Sequence, residues 1–149
     1  LAVALGKKLN LPVVHLDKIW WKPNWQNRTE DEFDTLLNIE LNKPRWIIDG
    51  NYSRTFGRRL EFADMCIFLD YTVDVCIKGV RDRVKIFNGK TRPDMTDGCL
   101  ERIDEEFEEW IINFQDSTRP KMLSLLQASA IDYKIIKTRE DADKWLNNI

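Results

Sequence analysis

The sequence predicts an α/β fold: a parallel sheet with helices on both faces, in three layers. Three observations point there. Apolar runs of four to six residues alternate with helical patterns, the signature of βαβ units. Three of those runs end in an aspartate, Asp17, Asp49 and Asp70, which lines carboxylates along one edge of the sheet. The 149 residues, 43% of them hydrophobic, carry no repeat, no low-complexity tract and no linker, as expected for one domain over 1–149.

Each element has a local reason. Leu1, Leu5 and Leu9, with Ala2 and Ala4, give an uncapped apolar helix pattern that Asn10-Leu11-Pro12 ends. Val13–Leu16 reads as a buried strand ending at Asp17, and 18–28 as an aromatic loop. Thr29 followed by Glu32 is a capping box. Phe33, Leu36, Leu37 and Leu41 continue at helical spacing until Pro44. Trp46–Asp49 is a second strand, closed by Gly50. Residues 54–61 suit a short basic helix, and Met65–Leu69 a third strand. Thr72 opens a helix faced by Val73, Cys76, Ile77, Val80, Val84 and Phe87, which Asn88-Gly89 closes. Residues 90–99 read as a loop. Leu100, Ile103, Phe107, Trp110, Ile111 and Phe114 form another helical stripe. Arg119-Pro120 opens a helix to about Ala128, Tyr133–Ile136 is the last strand, and 139–147 the last helix.

Composition excludes some functions. Net charge is −2, so nothing overall draws the chain onto nucleic acid or anionic lipid. No apolar run approaches the roughly 20 residues needed to span a bilayer. Three cysteines without metal-ligand spacing fit a reduced, cytoplasmic setting. A single histidine leaves little for a zinc site or a histidine relay. Local polarity is stronger than net charge. Lys78, Arg81, Arg83, Lys85, Lys90 and Arg92 stand against Asp82, and the stretch from Asp94 to Glu109 then carries eight acids against Arg102. Arg81 and Arg83 lie about 200° apart around a helix, so both face one ligand only if the helix bends.

Two stretches carry chemistry. Asp49-Gly50-Asn51-Tyr52-Ser53-Arg54-Thr55 joins a strand-end carboxylate able to hold magnesium to an arginine able to grip phosphate through two hydrogen bonds. The alternative is a buried strand, a turn and a solvated arginine. His15-Leu16-Asp17 leads into Trp20-Trp21-Lys22-Pro23-Asn24-Trp25. Those indoles either stack a ligand ring or plug the helix that follows.

With Arg92-Pro93-Asp94-Met95 and Gly98-Cys99, these stretches resemble the adenylate-kinase-like P-loop kinases, in particular the DNA topology modulation proteins. The resemblance covers nearly the whole chain. It implies a P-loop NTPase fold whose first strand and phosphate loop would precede Leu1, so the chain as it stands would be catalytically poor. It further implies ATP and Mg²⁺ as cofactors and ATP-dependent phosphoryl transfer to a small acceptor. The alternative is a non-catalytic nucleotide-binding regulator. On this resemblance Asp49, Arg92 and Arg81 are catalytic, Asp49 and Asp17 hold the metal, and 88–101 is a lid. Asp17, Trp21, Trp25, Asn51, Tyr52 and Arg54 bind the acceptor. Asn51-Tyr52-Ser53 departs from the Phe-Pro of adenylate kinases, which points to an acceptor other than a nucleoside monophosphate. Arg83 and Arg119 would contact the nucleotide, and Lys137 and Thr138 would flank adenine, placed by topology alone. The expected partners are a nucleotide and a small molecule, with neither membrane nor direct nucleic-acid binding.

Overall fold

The computed structural model describes all residues, Leu1–Ile149. The chain is α/β, with short parallel sheets flanked by helices. It divides into two compact units. One comprises Leu1–Asn51 and Lys85–Arg102, the other Tyr52–Val84 and Ile103–Ile149.

In the first unit, helix α1 (Ala2–Leu9) ends where Asn10 turns left-handed at φ 52°, with the Leu11 amide returning to the Gly6 carbonyl at 2.9 Å. Gly6 lets strand β1 (Val13–His15) pass close by, since a β-carbon there would lie 2.3 Å from Val13 Cγ2. Helix α2 (Leu16–Trp20) follows at once. A two-residue ribbon of β2 (Trp21–Lys22) and β3 (Gln26–Asn27) then closes over a 3₁₀ turn at Pro23–Trp25. Helix α3 (Glu30–Leu41) opens on the expected capping box, with both reciprocal bonds between Thr29 and Glu32 present. Strand β4 (Ile47–Asp49) pairs in parallel with β1, setting Val13 opposite Ile47 and His15 opposite Asp49. Leu5, Leu16, Phe33, Leu37 and Leu41 form the buried apolar set of this part of the chain, and Met95 and Cys99 are buried in 85–102.

The second unit begins with a 3₁₀ turn at Ser53–Thr55 and helix α4 (Phe56–Phe62). Strand β5 (Met65–Leu69) pairs in parallel with β6 (Asp132–Ile136). Helices α5 (Val73–Phe87), α6 (Glu105–Ser117) and α7 (Arg119–Ala128) lie between them in sequence, and α8 (Arg139–Asn148) follows β6. The last three residues of α5 count with the first unit. Phe56, Leu60, Phe68, Met122 and Leu126 make the core.

Three boundaries correct the sequence expectation. Asp17 does not end a strand. His15 is the extended residue before α2, and the chain coils from Leu16 because that side chain, fully buried, anchors the turn. Asp17 thus sits in a helical first turn. Residues 18–28 are a helix end and a ribbon rather than an open loop. Leu100 belongs to no helix. It bridges Thr91 and is half exposed, while α6 starts only after Asp104, whose carboxylate caps the Phe107 amide. The strands form two-stranded sheets, where the alternation pattern had suggested one larger sheet.

Candidate functional site

Ligands on parallel sheets sit at the carboxyl ends of the strands. In the first unit those ends carry His15 and Asp49. The in-register pairing of β1 with β4 sets them side by side, and His15 Nδ1 lies 2.8 Å from Asp49 Oδ2. The imidazole is largely covered and the carboxylate is half exposed. Gly50 turns the chain away at φ 139°. A β-carbon there would lie 2.8 Å from Leu16 Cβ, so only glycine permits this approach of β4 to α2. Asn51 follows, half buried.

Two residues beyond His15, Asp17 meets Arg92, whose guanidinium is gathered by three carboxylates. Nη2 lies 3.7 Å from Asp17 Oδ2, Nη1 donates to Asp94 Oδ2 at 3.0 Å, and Nε lies 2.5 Å from Glu101 Oε2. Arg92 and Glu101 are both buried, where a charge is tolerated only when paired. The sequence reading missed Glu101, one acid among eight whose burial depends on how the loop folds back.

The aromatic stretch divides between its two readings. Trp20 packs edge-on against Phe33 of α3, with centroids 5.6 Å apart, and is the plug. Trp21 and Trp25 meet edge-to-face at 5.3 Å and remain partly exposed. Arg28 pins the ribbon, Nη1 donating to the carbonyls of Ile19 and Trp21 at 2.8 and 3.2 Å. Lys22 is engaged by Glu32. That lysine, with the amide of Thr29, holds the Glu32 carboxyl below the usual range, the amide contributing most. No set of three or more His, Cys, Asp or Glu side chains is arranged to hold a metal ion. A magnesium ion at Asp17 or Asp49 would therefore draw most of its ligands from phosphate and water.

The remaining sequence-predicted residues lie in the second unit. Tyr52 adopts a left-handed φ of 24°, and its carbonyl accepts from the Thr55 amide, the Thr55 hydroxyl and Arg59 Nη2. Arg54 is exposed on the 3₁₀ turn. Arg81, exposed on α5, forms two bonds with Glu108 Oε1. Arg83 is on the same helix, half buried.

Arg119 spends Nε and Nη2 on the two oxygens of Asp70, at 2.5 and 2.6 Å. That paired hydrogen bond holds the Asp70 carboxyl below its ordinary range, with Lys137 adding to the effect, and raises the Arg119 guanidinium. Thr138 caps α8 by accepting the Asp141 amide at 3.0 Å. Arg139 stands 6.0 Å above the ring of Tyr71.

No protein-family model, curated protein or solved structure matches the chain.

Proposed function

We propose that these residues form the acceptor side of an adenylate-kinase-like P-loop phosphotransferase acting on a small molecule. The observation that carries the reading is the carboxyl end of the β1–β4 pair. There His15 and Asp49 meet in register, and Asp17, two residues on, ion-pairs with Arg92. A strand-end carboxylate at Asp49, with a carboxylate in the following helix turn at Asp17 ion-paired to a guanidinium, is the type of constellation that orients an acceptor and neutralises a transferring phosphoryl group. In this reading Asp17 and Asp49 position acceptor and magnesium, and Trp21 and Trp25 wall the acceptor. Arg92 is released from its carboxylates when a phosphoryl group arrives. The second unit, taken by itself, carries the residues this reading gives to ligand phosphate and nucleotide: Arg54, Arg81, Arg83, Lys137 and Thr138.

The 149 residues contain no Gly-x-x-x-x-Gly-Lys-Ser/Thr loop. The backbone cradle for a triphosphate is thus not supplied by these residues. The test is phosphoryl transfer from radiolabelled ATP to a panel of nucleosides, sugars and amines, using protein expressed from its entire reading frame. Turnover that falls at least about a hundredfold in Asp49→Asn supports the reading, as expected for an electrostatic group at the reacting centre. ATP binding without turnover supports a nucleotide-binding regulator. Absence of both overturns the nucleotide assignment.

A further inference from the structure

The segment after α5 is tied to the tryptophan ribbon at successive points. Thr96 Oγ1 donates to the Trp21 carbonyl at 2.8 Å and lies 3.4 Å from that of Lys18. Cys99 Sγ donates to the Lys22 carbonyl at 3.2 Å. The Asn24 amide donates to the Gly98 carbonyl at 3.3 Å, and Trp25 Nε1 to that of Leu100 at 3.1 Å. Arg102 stands 5.2 Å over the Trp25 ring. Gly98, at φ 84°, brings its backbone against Pro23, where a β-carbon would touch at 3.3 Å. The segment also folds on itself. Met95 and Cys99 are buried, Thr91 bridges Leu100, and the Glu101 amide returns to the Lys90 carbonyl at 2.9 Å.

What these ties hold is strained. Asn24 and Trp25 both lie in the left-handed region, at φ 61° and 58°. That region is uncommon for asparagine and an outlier for a bulky residue such as tryptophan. Such backbone persists only where its surroundings over-determine it, and it clusters at ligand clamps. Here the surroundings are the carbonyls of Gly98 and Leu100.

We propose that 90–102 and the tryptophan ribbon 18–28 are one interlocked body, in which residues 96–102 position Trp25. The segment is then the second wall of the Trp21/Trp25 site and does not open independently of it. Any movement that brings Arg92 toward a phosphoryl group carries Trp25 with it, so acceptor engagement and the placement of Arg92 are coupled. The inference rests on the proposed function only for what the site binds. The interlock itself is a property of the chain.

The test is amide hydrogen exchange on the 149-residue chain, with the Trp25 indole N–H followed by NMR. Thr96→Val deletes one donor. Exchange is expected to rise about three- to tenfold in both 20–28 and 96–102, the range set by loss of a single net hydrogen bond. The Trp25 indole proton loses protection in step, and α3 is unchanged. Thr96→Ser restores all three readouts. Trp25→Phe, which removes the bond to Leu100, speeds exchange at 98–102. A rise confined to 90–102, an equal rise through α3, failure of serine to rescue, or no effect of Trp25→Phe would each overturn the interlock. A negative phosphotransfer assay leaves these rates untouched, and independent loops leave phosphotransfer possible, so the two ideas fail separately.

Discussion

Asp70 and Arg119 show how a residue suited to ligand binding becomes a brace. A guanidinium opening a helix beside a strand end is where a phosphate contact would be sought. Here both of its parallel donors face a side chain of the same unit that is nearly inaccessible to solvent. Asp70→Asn is expected to cost about 1.5–3 kcal/mol in urea denaturation, because a charge-assisted pair is lost and Arg119 is left without its partner. The pH dependence follows from the lowered carboxyl. Its stabilisation is complete above the unfolded value, near 3.9, and is lost as pH falls through the lower folded value. The wild-type chain should therefore lose stability on acidification more steeply than Asp70→Asn, and equal acid slopes would count against the brace. None of this was legible in the sequence, since Asp70 and Arg119 lie 49 residues apart. The Thr29–Glu32 box was legible, because its bonds span only three residues.

Among the elements, those with a local cause were readable and those set by tertiary contact were not. Strand β5 falls on Met65–Leu69 as its apolar run predicts, and α7 starts at Arg119 where Pro120 allows it. The strand expected over 13–16 stands at Val13–His15, and only its end failed, because an apolar run of this length reads equally as strand or buried helix. Burial of Leu16 decided for the helix. The ribbon at 21–27 was hidden because it needs Asn24 and Trp25 in a conformation their residue types disfavour. As for the candidate site, its aspartates and indoles were visible as types, although only Asp49 ends a strand. The pairing of His15 with Asp49 was not, since it depends on the register of β1 against β4. That register gives the element-scale prediction. Gly50→Ala should destabilise the fold by about 1–3 kcal/mol, through a left-handed φ and contact with Leu16. Thermal denaturation checks it, and an unchanged midpoint would mean that β4 and α2 can separate at no cost.

At the scale of the molecule, each unit carries its own buried apolar set. Leu126 has no accessible surface and sits in the cluster of Phe56, Leu60, Phe68 and Met122. Leu126→Ala should cost about 2–5 kcal/mol through lost transfer free energy and the cavity left behind. Hydrogen exchange resolved along the chain is the measurement. Amides of β5 and β6 should lose protection first, because their strand pair belongs to the unit that holds this cluster. Slower or equal loss there than in α3 would mean that the cluster does not stabilise its own sheet.

Cys99, 1% exposed, makes the interlocked loops into a clock. A sulfhydryl reagent attacks only an accessible thiolate. In a variant with Cys66 and Cys76 replaced by serine, the modification rate counts how often 90–102 and the ribbon open together and expose the thiol. At low reagent the rate should scale with reagent concentration and report the open fraction. At high reagent it should level off at the opening rate itself. One substitution pair and a colour reaction thus place a time scale on that opening.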